Sequence, residues 1–127
     1  MKKLAIIFAA IAVLAGCQKD KTSLAGETYA AFAYHSDAWE IAGMHFDWYD
    51  AYYVYRFIDQ TRAERTVRQY SPIGEIIGDI EDCTYTYKYP YIEIKYYNTS
   101  RKLEVTEKGE FLDKDTFRIN KKDYIKQ

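Results

Sequence analysis

Two hydrophobicity patterns divide the chain. Leu4 to Gly16 is an unbroken run of apolar or small residues behind Lys2 and Lys3. From Leu24 onward apolar and polar positions alternate, and the alternating residues are rich in Tyr, Ile, Val and Thr. A period of two sends successive side chains to opposite faces of an extended backbone, so the second pattern predicts strands. It is clearest late in the chain. Cys83, Tyr85 and Tyr87 alternate with Thr84 and Thr86, and Ile92, Ile94 and Tyr96 alternate with Tyr91, Glu93 and Lys95. Lys88-Tyr89-Pro90 turns the chain between them, since Pro has no N–H for a central ladder. Further strands are predicted at 102–106, 110–112, 116–119 and 123–125, with turns at 98–100, 108–109 and 113–115.

The first half is less regular. Residues 24–34 read as an opening strand, 35–44 as an irregular turn and His45–Ile58 as one long aromatic strand. One face of that strand carries Phe46, Trp48, Asp50, Tyr52, Val54, Arg56 and Ile58. The other carries Asp47, Tyr49, Ala51, Tyr53, Tyr55 and Phe57. Aromatics on both faces predict either burial on two sides or one core face with one exposed aromatic face. Residues 61–70 read as a strand. A helix over 59–69 is the rival, because Asp59 suits a cap and Arg, Ala and Glu favour helix. Its apolar positions are too sparse to bury a helical face. Ser71–Gly74 is a loop, and 75–81 resumes strand with Gly78 marking a bulge or bend. Eight to nine short strands joined by tight turns predict an all-β antiparallel up-and-down meander. Closure into a barrel of about eight strands removes its exposed edges.

The apolar leader is too short to cross the ~30 Å of hydrocarbon that takes roughly 20 helical residues. With its positive head it reads as a secretory signal and stands apart from the fold. Leu14-Ala15-Gly16-Cys17 resembles the lipobox of bacterial lipoproteins. The resemblance implies cleavage after residue 16, a thioether-linked lipid on Cys17 and acylation of the new amine. Several acyl chains, at ~0.8 kcal/mol per buried CH₂, make a firm anchor. Gln18-Lys19-Asp20 is similar to the export signal of Bacteroidetes-type surface lipoproteins, and a plain solvated linker would share its composition. The expected organisation is a signal peptide at 1–16, a lipidated Cys and polar tether at 17–23, and a barrel at 24–127. The expected location is the bacterial outer membrane, lipid-anchored, with display on the cell surface.

A second resemblance concerns the barrel. Leu24-Ala25-Gly26-Glu27-Thr28-Tyr29 resembles the L-x-G-x-x-aromatic opening strand of lipocalin-like bacterial lipoproteins, and Tyr85–Ile94 resembles a mid-barrel hairpin of that group. Tyr29 stands where true lipocalins carry the Trp of their G-x-W motif. The resemblance implies an eight-stranded up-and-down barrel, with a ligand cavity in some members, and no shared activity.

Charge changes the picture little. The net charge is −1, and removal of Lys2 and Lys3 with the leader leaves 16 basic against 19 acidic residues, or −3. No basic stripe marks a nucleic-acid footprint, so no nucleic-acid partner is expected. With Cys17 lipidated, Cys83 has no disulfide partner within the chain and reads as a small buried hydrophobe. His35 and His45, with Asp37, Asp47 and Asp50, are the metal-ligand candidates. Their spacing fits no ligand pattern, and no metal or other cofactor is expected. No nucleophile elbow, zinc-protease helix motif or phosphate loop is present, so no catalytic residue is assigned and a non-enzymatic protein is expected.

The aromatic excess is the unusual feature. Trp39, Trp48, Tyr49, Tyr52, Tyr53 and Tyr55 lie close together in sequence. Such rings fill small barrels, and they also form binding surfaces for sugars, apolar ligands and proteins. Trp39, Trp48 and Tyr52 are the candidate ligand-binding residues for a small apolar or glycan ligand. The alternative is a protein-interaction or inhibitor module with a filled core. Arg62, Arg65 and Arg68 form either an anion-pairing group or a solvated strand face.

Overall fold

The computed structural model describes residues 23–41 and 43–127, with the side chains of 38–41, 44, 46 and 47 excepted. The signal-peptide and Cys17 assignments lie outside the described residues. Nine strands follow one another: β1 (Thr28–Ile41), β2 (Met44–Phe57), β3 (Arg62–Ser71), β4 (Gly74–Ile77), β5 (Glu81–Lys88), β6 (Tyr91–Asn98), β7 (Leu103–Asp113), β8 (Thr116–Ile119) and β9 (Lys122–Lys126). Every pairing is antiparallel. β2 contacts both β1 and β3, and β9 returns to β1, so the sheet closes on itself.

The ring has eight members, because β4 and β5 are two pieces of one broken strand. Both lie along the same edge of β3, β4 against Arg68–Ser71 and β5 against Arg62–Arg65. Between them residues 78–80 leave the ladder. Gly78 N–H still donates to Val67 C=O at 2.8 Å, and the Thr66 hydroxyl bonds the Gly78 and Asp79 carbonyls. The bend expected at Gly78 is therefore present. The strand expected over 75–81 is split by it.

No helix forms among the described residues, and 62–71 is strand rather than the rival helix. Asp59 caps the turn before β3 instead. Its carboxylate accepts from the backbone N–H groups of Thr61 (2.9 Å) and Arg62 (2.8 Å) and from Arg62 Nε (2.7 Å). The Thr61 N–H foremost, and then Arg62, hold its pKa down at about 2.

Two expected turns are strand. β7 runs straight through Lys108-Gly109, and Gly109 faces Ile92 across the ladder. A Cβ there would sit 2.5 Å from Ile119 Cγ1 and 2.8 Å from the Arg118 carbonyl. Glycine is needed for the close approach of β8, not for a turn. Residues 35–44 likewise form a hairpin. A bulge between Phe32 and Tyr34 shifts the register, after which His35 faces Asp50 and Ile41 faces Met44. Gly43 takes φ 80° in the tight turn, a conformation that glycine adopts at no steric cost. The polar run His35-Ser36-Asp37 hides the alternation while the backbone ladder persists.

This hairpin outruns the barrel. β3 accompanies β2 only as far as Asp50, opposite Tyr70. β9 pairs with β1 only at Tyr29 and Ala30. Residues 34–41 and 44–49 therefore continue as a two-stranded ribbon. It leaves from the end of the barrel that holds the β3–β4, β6–β7 and β8–β9 turns. Leu24 and the turns near Asp59, Pro90 and Asp115 gather at the opposite end, where Gly26 N–H donates to the Phe57 carbonyl.

The inside of the barrel is filled. Tyr29, Tyr55, Phe57, Phe117 and Ile94 are fully buried, joined by Ile92, Phe111, Tyr85 and Tyr124. Phe117 lies 5.0 Å from the Tyr29 and Tyr124 rings and 5.2 Å from Phe111. Offset and tilted ring pairs of this kind add to the hydrophobic gain of burial. Cys83 is buried among them as expected, and burial pushes its thiol pKa up to about 12.

Candidate functional site

An open concavity lies on the outer wall of the barrel. It is a cleft of about 430 Å³ over β1, β2 and β3, lined by Trp48, Asp50, Tyr52, Val54, Arg68 and Tyr70. Thr28, Ala30 and Gln127 close its lower end. Strand register explains the grouping. Tyr52 faces Phe32 on one side and Arg68 on the other, and Asp50 faces His35 and Tyr70. These rows share one face because side chains two apart along a strand point the same way.

The rings stand edge to face. Tyr52 is 5.6 Å from Phe32 at 79° and 5.5 Å from Tyr70 at 81°. Phe32, Trp48 and Tyr70 are 51%, 37% and 38% exposed, so ring surface remains available to a ligand. The charged groups sit within this aromatic frame. Arg68 Nη1 is 3.6 Å from Glu75 Oε1, and Arg68 Nε is buried without a hydrogen-bond partner. Asp50 is bound by His35, whose ring stacks near Trp48 with 22° between planes.

Of the residues singled out from sequence, Trp48 and Tyr52 meet in this cleft. Trp39 falls in β1 opposite Phe46, and its side chain lies outside the described residues. Tyr70, Val54 and Gln127, which also line it, were not singled out. Their membership depends on which residues face each other across strands, and period-two alternation within one strand carries no such information. The three arginines divide. Arg62 pairs with Asp59 and Arg68 borders the cleft, both outside, whereas Arg65 points inward.

Arg65 belongs to a polar layer above the aromatic core. Its Nη1 bonds Glu81 at 2.7 Å, and its guanidinium lies over the rings of Tyr53 (5.3 Å) and Tyr96 (4.8 Å). The Tyr96 hydroxyl donates to Glu107 Oε1 at 3.1 Å. Burial pushes the Tyr96 pKa up to about 12. Arg65 is thus paired with Glu81 and stacked on two rings, while its Nε is buried without a hydrogen-bond partner. Among the described residues no group of three His, Cys, Asp or Glu side chains is placed to hold a metal ion.

Comparisons of the chain with protein-family models, with curated proteins and with solved structures found no match.

Proposed function

We propose that the chain is a lipid-anchored outer-membrane lipoprotein that works without catalysis, as a binding module for a glycan. The cleft on the outer wall is the observation that carries this reading. Trp48, Tyr52 and Tyr70 supply ring faces on which a sugar ring stacks, and Asp50 and Arg68 supply an acceptor and a donor for its hydroxyls. A purely apolar ligand would leave Arg68 Nε, which is buried without a hydrogen-bond partner, still unsatisfied, whereas a sugar hydroxyl can accept from it. The lipobox-like Cys17 supports membrane attachment. A tether at 17–23 would join the barrel beside Leu24, at the end away from the ribbon, leaving the cleft's upper rim turned outward.

The test is calorimetric titration of the full chain with neutral hexasaccharides. Saturable binding that Trp48→Ala or Tyr52→Ala weakens about tenfold, or about 1.4 kcal/mol, supports the reading. Replacing Cys17 by Ala should leave an uncut precursor that takes up no fatty-acid label, and unchanged processing would refute the anchor.

A second reading is a protein-docking module with a filled core. It is favoured by the exposed apolar side chains that continue the cleft face, Phe32 beside Tyr52 and Ile77 (56% exposed) beside Arg68. Failure of every oligosaccharide to bind, together with loss of a co-purifying protein on Ile77→Asp substitution, would select it.

A further inference from the structure

At the root of the ribbon His35 stands between two carboxylates. Nδ1 lies 2.5 Å from Asp50 Oδ1, and Nε2 lies 2.8 Å from Asp37 Oδ1. Ionised carboxylate oxygens only accept hydrogen bonds, so both contacts are satisfied together only when both ring nitrogens carry a proton. A neutral imidazole would set one bare lone pair against a carboxylate. The hydrogen bond to Asp50 foremost, and then that to Asp37, hold the pKa of His35 above its ordinary 6.5.

The place of this contact in the fold matters as much as its chemistry. Asp50 is the last residue of β2 that β3 accompanies, and the β1 bulge lies immediately before Tyr34 and His35. The His35–Asp50 bond thus ties the two strands together where a three-stranded wall becomes a two-stranded ribbon. Trp48 is the one cleft-lining residue that belongs to the ribbon, and its ring centroid lies 6.3 Å from that of His35. The other cleft residues sit on the wall.

We propose that His35 is a proton-dependent latch that fixes the side-chain arrangement between β1 and β2 at the ribbon's root, and with it the Trp48 ring beside the cleft, while the imidazolium bridges Asp37 and Asp50, and frees that ring when the proton is lost. The latch stands on its own geometry, while its effect on ligand rests on the glycan-binding reading above. The groups facing the ring are Asp37 on its own strand and Asp50 and Trp48 on β2. Tyr70 of β3 and Glu75 of β4 continue the same row, and Glu75 is turned toward Arg68 at 3.6 Å. Because the folded pKa is raised, the latch is fully engaged below pH 6.5 and is lost as pH rises through the higher folded value.

The experiment uses the full chain with Trp39→Phe, so that Trp48 alone reports. Imidazole resonances and tryptophan emission are followed from about pH 5 to 9. The expected result is a His35 midpoint above 6.5, an emission change with the same midpoint, a midpoint moved back toward 6.5 by Asp50→Asn, and no such change in His35→Gln. A midpoint at or below 6.5, or an emission change that persists in His35→Gln, overturns the latch. A second arm titrates neutral hexasaccharides at both ends of the range. Affinity should fall about tenfold at high pH, as for a competent state reduced to about a tenth, and His35→Gln should bind alike at both. Binding that ignores pH in the parent chain overturns the latch and leaves the glycan reading standing. A latch that titrates in a chain that binds no oligosaccharide overturns the glycan reading alone.

Discussion

Tyr53, Tyr55 and Phe57 point from β2 into the barrel, whereas Trp48, Tyr52 and Val54 point from the same strand to its outer wall. The residue types are similar and their surroundings are not. Inside, Phe57 meets Tyr29, Tyr85 and Phe117 from three other strands. Outside, among the described residues, Tyr52 meets rings from β1 and β3, the strands on either side of it. A closed sheet covers its inner face from every direction and its outer face only from the flanks. Aromatic density in a strand therefore says nothing about function until the geometry tells which rings are covered.

The comparison breaks if outer and inner rings prove equally important to stability. Phe117→Ala should cost about 3–5 kcal/mol, since it removes a fully buried ring at the centre of the cluster. Urea denaturation measures it. Gly109→Ala should cost about 1–3 kcal/mol in the same assay, because the new methyl must displace Ile119 and the β8 backbone. Trp48→Ala should change stability by less than about 0.5 kcal/mol while weakening glycan binding. A stability loss there as large as that of Phe117→Ala would make the outer rings structural and remove the ground for a binding cleft.

Alkaline pH sharpens the same contrast. Burial raises the pKa of the inward-facing Tyr29, Tyr55 and Tyr124, and pushes Tyr87 and Tyr96 up to about 12. A raised folded pKa means that the unfolded chain gives up its proton first. Stability is thus intact below pH 10 and falls between 10 and 12, by at most about 1.4 kcal/mol per pH unit for the deeply buried Tyr55 and less for the tyrosines that solvent partly screens. Ultraviolet titration should show the inner group ionising only with unfolding. The smallest expected effect concerns Cys83, which should resist alkylation at pH 8 in the folded chain and react once unfolded.

Much of the architecture was legible because alternation and burial coincide over most strands. It failed where they part. In the ribbon, His35, Ser36 and Asp37 are polar on both faces, since neither face packs on a core, and a strand looked like a turn. At Gly109 the turn-forming residue is a steric necessity inside β7. For the cleft, Trp48 and Tyr52 were visible as ring-bearing positions of like parity. Tyr70 was not, because its neighbourhood with Tyr52 depends on the β2–β3 register. Arg65 and Arg68 looked alike in one dimension and lie on opposite sides of the wall.

The cylinder is fastened along β1 and β9 by a short seam, two ladder pairs, Tyr29 with Lys126 and Ala30 with Ile125, and the Gln127 N–H donated to the Thr28 carbonyl at 2.9 Å. The long β1–β2 and β2–β3 ladders leave the wall far stiffer on its other side. The molecule is in effect a clip with one short clasp. Amide protons along that clasp should exchange with solvent earliest among the strand residues that face the core, and each brief unfastening would wet the rings of Tyr29 and Tyr124 together.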